Sequence, residues 1–162
     1  MEDRLNGYQL PQFNDSWQMS DLMPYLGKLR QEHAQLVEIA SRLSAAVAAP
    51  QPPAATELFM LRNELTSILI AHLKAEDWLL YPRLLASPDP SVKKTARAFS
   101  DEMGGLAQAY GRYTHKWTAM SIQVNWVGYC KETRDIIDAL TQRIARENRE
   151  LYPLLDTMEK AA

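Results

Sequence analysis

Apolar residues recur at steps of three and four over most of this chain, which is the spacing of α-helices that bury one face. Proline-rich or polar segments separate four such stretches. Ala, Leu, Glu, Arg and Gln dominate and favour helix, and β-branched residues form no alternating runs. Four long helices with short connections imply antiparallel neighbours. The sequence therefore predicts an all-α fold, an antiparallel up-down four-helix bundle.

Helix-breaking residues set the expected boundaries. The predicted helices cover residues 20–49, 56–87 and 91–118, and a fourth helix begins at Trp126 after a short turn over 119–125. Pro82 is expected to perturb the last turns of the second helix, and Gly104 and Gly105 are expected to weaken the third. With 162 residues, the chain suits one domain. We assign residues 20–160 to that domain.

Residues 1–19 are predicted to be an N-terminal arm, because they are mixed in polarity and contain Pro11. Aromatic residues in this arm, among them Trp17, suggest that it packs on the body or mediates dimerisation. The arm lacks an apolar signal core, and the longest apolar stretch, 68–73, contains His72 and is far too short to cross a bilayer. A cytoplasmic location without membrane contact is expected, which the single thiol, Cys130, also fits.

Charge and cysteine content exclude several classes of function. The net charge is -2, which offers no electrostatic reason to bind nucleic acid. One cysteine forms neither an internal disulfide nor a cysteine-based metal cluster. The sequence also shows no nucleophile–base arrangement and no phosphate-binding loop. It therefore favours a binding or regulatory protein over an enzyme.

The second and fourth helices carry matching motifs. Glu, Leu, Tyr and Pro recur in the same order in segments 72–82 and 143–153. The preceding helices match more weakly, so that His33 corresponds to Met103 and His72 corresponds to Arg143. His33 and His72 are 39 residues apart, and Met103 and Arg143 are 40 apart. We interpret the chain as an αα-hairpin that occurs twice.

Metal-binding side chains lie on the apolar faces of these helices. His72 and Glu76 are four residues apart and share one face of a helix. A carboxylate buried there needs a cation, a hydrogen-bond donor or a proton. His33 and Glu147 lie on the equivalent faces of the first and fourth helices. Two imidazoles and two carboxylates suit iron, manganese or zinc, so these four residues are the predicted metal ligands.

These motifs resemble those of the hemerythrin-like, or HHE cation-binding, family over roughly residues 21–158. The residues that carry the resemblance are Glu32-His33, His72-x-x-x-Glu76 with Leu80-Tyr81-Pro82, and Glu147 with Leu151-Tyr152-Pro153. It implies a four-helix bundle that holds two non-heme irons bridged by two carboxylates. It also implies binding or sensing of oxygen, nitric oxide or iron, or help in iron–sulfur repair. By position, His33 and His72 would serve one metal, and Glu76 and Glu147 would be the bridges.

The second half departs from this pattern. Met103 and Arg143 stand where the resemblance implies histidines for a second metal. We therefore expect one non-heme iron, manganese or zinc ion per chain, and not a complete di-iron centre. Arg143 lies four residues before Glu147, and its permanent charge is expected to pair with Glu147 and with Glu76 in place of the missing cation.

Three functions remain open from the sequence. The leading prediction is a metal-binding bundle that acts in sensing, storage or regulation, with oxygen or nitric oxide as a candidate ligand. The first alternative is a metal-free bundle that binds a protein partner, in which Glu147 pairs only with Arg143 and Met103 fills the core. The second is a redox or iron–sulfur repair enzyme with a non-heme iron.

His115 is expected to lie outside the site.

Overall fold

The computed structural model describes residues 23–161, without the side chains of residues 23, 24, 103 and 159–161. The predicted arm, residues 1–19, lies outside this range. Within it the chain forms eight α-helices and two π-helical turns, named π1 and π2, and contains no strand. In chain order these are α1 Met23–Ala48, α2 Ala55–Ala75, π1 Glu76–Leu80, α3 Tyr81–Ala86, α4 Pro90–Met103, α5 Leu106–Lys116, α6 Ala119–Val124, α7 Trp126–Arg146, π2 Glu147–Leu151 and α8 Tyr152–Ala161. The predicted all-α class is confirmed.

Two expected boundaries differ from the structure. The predicted third helix is divided into α4 and α5, because helical hydrogen bonding is interrupted at Gly104 and Gly105. A Cβ atom at Gly104 would lie 2.5 Å from the carbonyl oxygen of Ser100, so this close approach requires glycine. The predicted turn over 119–125 instead contains the short helix α6, which the Thr118 side chain caps by accepting from the Ser121 amide.

Contacts between the long helices show their directions. Arg42 of α1 pairs with Glu64 of α2, and Glu32 of α1 pairs with His72 of α2. Residue numbers therefore rise along α1 in the direction in which they fall along α2. On α1 and α7, Arg134 donates to the carbonyl of Val47. The π2 turn that follows α7 brings Glu147 to His33 of α1. Each pair is therefore antiparallel, as expected of adjacent helices in an up-down bundle.

The apolar core consists of two clusters. One lies toward the end of the bundle where α1 is connected to α2, and it contains residues such as Leu36, Leu69, Tyr110 and Leu140. The other packs the opposite end, where Leu26, Leu80, Phe99 and Leu151 are buried together. On α1 the buried residues Glu32 and His33 fall between the two clusters in sequence, and after α7 Glu147 falls between Ile144 of one cluster and Leu151 of the other. A polar layer thus separates two apolar layers.

A π-helical turn occurs at the same place in both matching motifs. The amide of Tyr81 donates to the carbonyl of Glu76, five residues back, and Tyr152 donates to Glu147 in the same way. Proline follows each tyrosine, and it can neither donate a hydrogen bond nor accommodate the carbonyl four residues earlier. The helix widens by one residue there, as π-bulges do. The perturbation expected from Pro82 takes this form.

Among residues 23–161, no helix is both long and apolar enough to cross a membrane.

Candidate metal centre

The structure brings the four predicted ligands together. His33 comes from α1, His72 from α2, Glu76 from π1 and Glu147 from π2. One ligand atom from each residue lies within 4.8 Å of all the others. None of the four side chains is more than 2% exposed. The spacing along each helix and the antiparallel packing together place two imidazoles and two carboxylates at one point.

Oxygen acceptors orient both imidazoles. Nδ1 of His33 lies 2.7 Å from Oδ1 of Asn148, and Nδ1 of His72 lies 3.0 Å from Oε2 of Glu32. Because these oxygens accept a hydrogen bond, each Nδ1 carries the hydrogen, and in the neutral ring Nε2 presents a lone pair to the cluster. Metal-binding histidines are commonly held by such a hydrogen bond on the other ring nitrogen.

The atoms that face one another inside the cluster are acceptors. Nε2 of His33 lies 3.3 Å from Oε2 of Glu147, and Nε2 of His72 lies 3.3 Å from Oε1 of Glu76. Nε2 of His72 and Oε2 of Glu147 are buried and have no hydrogen-bond partner in the structure. Metal bonds of about 2.0–2.2 Å place neighbouring ligand atoms about 3–4 Å apart. The geometry and the donor set therefore fit a transition-metal ion.

Arg143 occupies the other side of the two carboxylates. Its Nε donates to Oε1 of Glu147 at 2.8 Å, and its Nη2 donates to Oε2 of Glu76 at 2.7 Å. The same Nη2 lies 3.5 Å from Oδ1 of Asp77. Each carboxylate thus directs one oxygen to the guanidinium and the other to the histidines. Both contacts expected of Arg143 are present.

Two tyrosines complete the cluster. Oη of Tyr81 donates to Oε1 of Glu147, and Oη of Tyr152 donates to Oε1 of Glu76, each at 2.8 Å. Each motif therefore supplies a tyrosine to the carboxylate of the other motif. The sequence motifs contain both tyrosines and support the family resemblance, but they do not predict these contacts. Their recurrence at a constant distance from a buried glutamate was the available signal.

Burial and neighbouring charges shift the pKa values of Glu76 and His72 in opposite directions. Burial raises the pKa of Glu76, but the charges of His72 and Arg143 outweigh it and hold the pKa well below its usual range. Burial lowers the pKa of His72, and the nearby carboxylates of Glu76 and Glu32 more than reverse this, raising it to about 10. In the protein without metal, a protonated His72 can therefore balance a carboxylate.

The sequence model described as the hemerythrin HHE cation binding domain matches residues 26–155. The chain belongs to this family. Searches of curated proteins and of solved structures gave no match. The chain is therefore a hemerythrin-like cation-binding domain with a buried histidine–glutamate cluster that could hold a metal.

The hemerythrin-like site of this chain is asymmetric. Arg143 stands where His72 stands in the other motif, and it binds carboxylates and offers no lone pair. Met103 is the last residue of α4, but its side chain lies outside the part that the structure describes. Its expected roles therefore stay predictions. His115 is exposed on α5 and outside the cluster, as expected.

Proposed function

We propose that this hemerythrin-like protein binds one transition-metal ion per chain through His33, His72, Glu76 and Glu147. The observation that carries the proposal is the pair of buried acceptor atoms without partners, Nε2 of His72 and Oε2 of Glu147. A buried acceptor without a donor is costly, and one ion between the four residues would satisfy them all. Imidazole and carboxylate ligands suit iron, manganese or zinc.

The contacts of Arg143 favour one ion over two. Glu76 and Glu147 carry two negative charges, and Arg143 supplies one fixed positive charge to the pair. It binds one oxygen of each carboxylate, and these are the oxygens that bridging carboxylates would offer to a second ion. One divalent ion therefore more than offsets the remaining negative charge, and a second ion would add positive charge that neither carboxylate is left to balance. The guanidinium would also hold the carboxylates in place when the ion leaves.

We further propose a role in sensing, storage or regulation. Four protein side chains surround the proposed ion, and none of them is appreciably exposed. Such a ligand set holds a metal, whereas catalytic sites keep a position open for substrate. Oxygen or nitric oxide as the sensed ligand, a protein partner or second copy, and the cytoplasm as location stay predictions from the sequence.

A metal-free bundle that binds a protein partner is the second candidate. Arg143 already bridges the two buried carboxylates, and the raised pKa of His72 allows an imidazolium to supply a second positive charge. The cluster could then be stable without any ion, as a structural polar layer between the two apolar clusters.

Elemental analysis of protein purified without added metal and without a histidine tag separates the two candidates. We expect about one iron, manganese or zinc ion per chain in the wild type and in His115→Ala, whose histidine lies outside the cluster. His72→Ala should lose the ion. Nearly two ions per chain would contradict the role given to Arg143. A folded wild-type protein with almost no metal would favour the metal-free candidate.

A further inference from the structure

We propose that Tyr152 is a fifth metal ligand, which binds the ion through its phenolate oxygen. This inference rests on the proposed metal site and adds to it a donor that the matching tyrosine, Tyr81, does not supply. It makes the centre a set of two nitrogens and three oxygens, with a preference for ferric iron.

The position of the phenol oxygen carries the inference. Oη of Tyr152 lies 2.8 Å from Oε1 of Glu76 and 3.3 Å from Nε2 of His33. These two atoms are themselves 3.8 Å apart, and both belong to the proposed ligand set. Neighbouring ligand atoms around one transition-metal ion are about 3–4 Å apart. The phenol oxygen therefore already lies where a neighbouring ligand atom would be.

Packing holds the oxygen in that position. The ring of Tyr152 stacks on the ring of His33, with centroids 5.0 Å apart and planes inclined by 6°. The side chain is buried and is covered by the guanidinium of Arg30, 5.5 Å from the ring centroid. Since the tyrosine also follows the π2 turn, its backbone is held close to Glu147. Little movement is needed for the oxygen to bind an ion.

Tyr81 occupies the matching position but lies on the other side of the carboxylates. Its Oη donates to Oε1 of Glu147, the oxygen that Nε of Arg143 also binds. The guanidinium of Arg143 lies 5.7 Å from the centroid of its ring. Tyr81 therefore faces the fixed cation, whereas Tyr152 faces the histidines. The two tyrosines form a matched pair in which one binds the metal and the other does not.

The binding step is a simple exchange of a proton for a metal. The O–H bond of Tyr152 breaks, its proton leaves to the buffer, and the electron pair on the oxygen forms the bond to the ion. The ion keeps its oxidation state, so no oxidant or reductant takes part. Bound cations promote the loss of a proton from such ligands, and hard phenolate oxygen suits ferric iron.

Ferric citrate as the metal source provides a direct test, because phenolate bound to ferric iron gives a visible charge-transfer band and characteristic resonance Raman bands. We expect both signals in the wild type and in Tyr81→Phe, each loaded with one iron per chain at a ferric citrate concentration that offsets the weaker binding expected of Tyr81→Phe. Tyr152→Phe should keep its iron, measured by elemental analysis, and lose both signals. Wild-type protein with one iron and no such band would overturn the inference and leave the metal site intact. A band that persists in Tyr152→Phe, or that is lost in both variants, would overturn it as well.

A second measurement covers the case in which Tyr152→Phe fails to fold or to bind iron. Tyr110, Tyr113 and Tyr129 belong to the other apolar cluster, away from the metal centre. In a variant that combines Tyr81→Phe with Tyr8→Phe and Tyr25→Phe and is labelled with ring-deuterated tyrosine, an isotope shift of the Raman bands would support Tyr152 as the ligand. Bound iron without these bands would overturn the inference. Wild-type protein that binds no iron, manganese or zinc would overturn the metal site and this inference together.

Discussion

His72 and Arg143 occupy matching positions in the two motifs, yet they lie on opposite sides of the same carboxylates. Oε1 of Glu76 faces His72 and Oε2 of Glu76 faces Arg143. An imidazole can exchange a proton for a metal, whereas a guanidinium keeps its charge at every accessible pH. The side of the carboxylates that faces Arg143 is thus permanently charged, whereas His72 on the other side can exchange its proton for a metal ion.

Replacement of Arg143 by methionine tests the fixed charge. Arg143→Met would leave Glu76 and Glu147 buried without their guanidinium, and breaking a buried ion pair in this way costs about 3–5 kcal/mol. We expect the free energy of unfolding in urea, measured with a metal chelator present, to fall by about that amount. Arg112→Met, at an exposed position of α5, should change it by less than about 0.5 kcal/mol. Equal stability of the two variants would show that Arg143 does not balance the carboxylates.

At the scale of the elements, the π-helical turns link the prolines to the site. Tyr81 and Tyr152 follow the five-residue turns that begin at Glu76 and Glu147. In a regular α-helix, residues four apart share a face, and the extra residue of a π-turn brings residues five apart into line. The proline after each tyrosine therefore helps to bring a phenol oxygen to a buried carboxylate.

Pro82→Ala tests this link. Alanine restores the amide hydrogen, so that residue 82 can bond to the carbonyl of Trp78 and a regular α-helix can compete with π1. Tyr81 would turn away from Glu147, and we expect metal affinity to fall about tenfold, which is typical for the loss of a group that supports a ligand. Competition with a chromophoric chelator measures the affinity.

Pro90→Ala is the control for this substitution, because Pro90 is the first residue of α4, where an amide has no helical partner. Its metal affinity should equal that of the wild type. Unchanged affinity in Pro82→Ala would mean that π1 persists without the proline or that Tyr81 contributes little to Glu147.

At the scale of the whole molecule, the two halves share one polar layer between two apolar clusters. His33 of the first half is held by Asn148 of the second, and Arg143 of the second half approaches Asp77 of the first. Asp77 and Asn148 are matching positions in the two motifs. We therefore expect Asp77 to be able to hold an imidazole of the second half as Asn148 holds His33 of the first.

This arrangement predicts how a second site could be formed. Arg143→His alone should still give about one ion per chain by elemental analysis, since position 103 would offer no imidazole. The double substitution Met103→His and Arg143→His should give about two, with Asp77 available to orient a new imidazole. Two ions in the single variant would mean that Met103 does not limit binding. One ion in the double variant would mean that packing beyond these residues excludes the second.

Much of the architecture and the four candidate ligands could be predicted from the sequence, because both depend on local spacing. The steps of three and four placed His72 and Glu76 on one face, and the matching motif pointed to Glu147. The class of fold is confirmed. The double occurrence of an αα-hairpin stays an interpretation, although both motifs contain the same π-turn.

Only the tertiary structure decided which atoms meet. The sequence placed Arg143 near the carboxylates, but it could not show that each carboxylate divides its two oxygens between the guanidinium and the histidines. Nor could it show that Tyr152 faces His33 while Tyr81 faces Arg143. Periodicity determines the face of a helix on which a residue lies, whereas these contacts depend on how α1, α2, α7 and the π-turns approach one another across the core. The hydrogen bonds of Tyr81 with Glu147, and of Arg143 and Tyr152 with Glu76, join residues more than 60 positions apart, and no local sequence pattern encodes them.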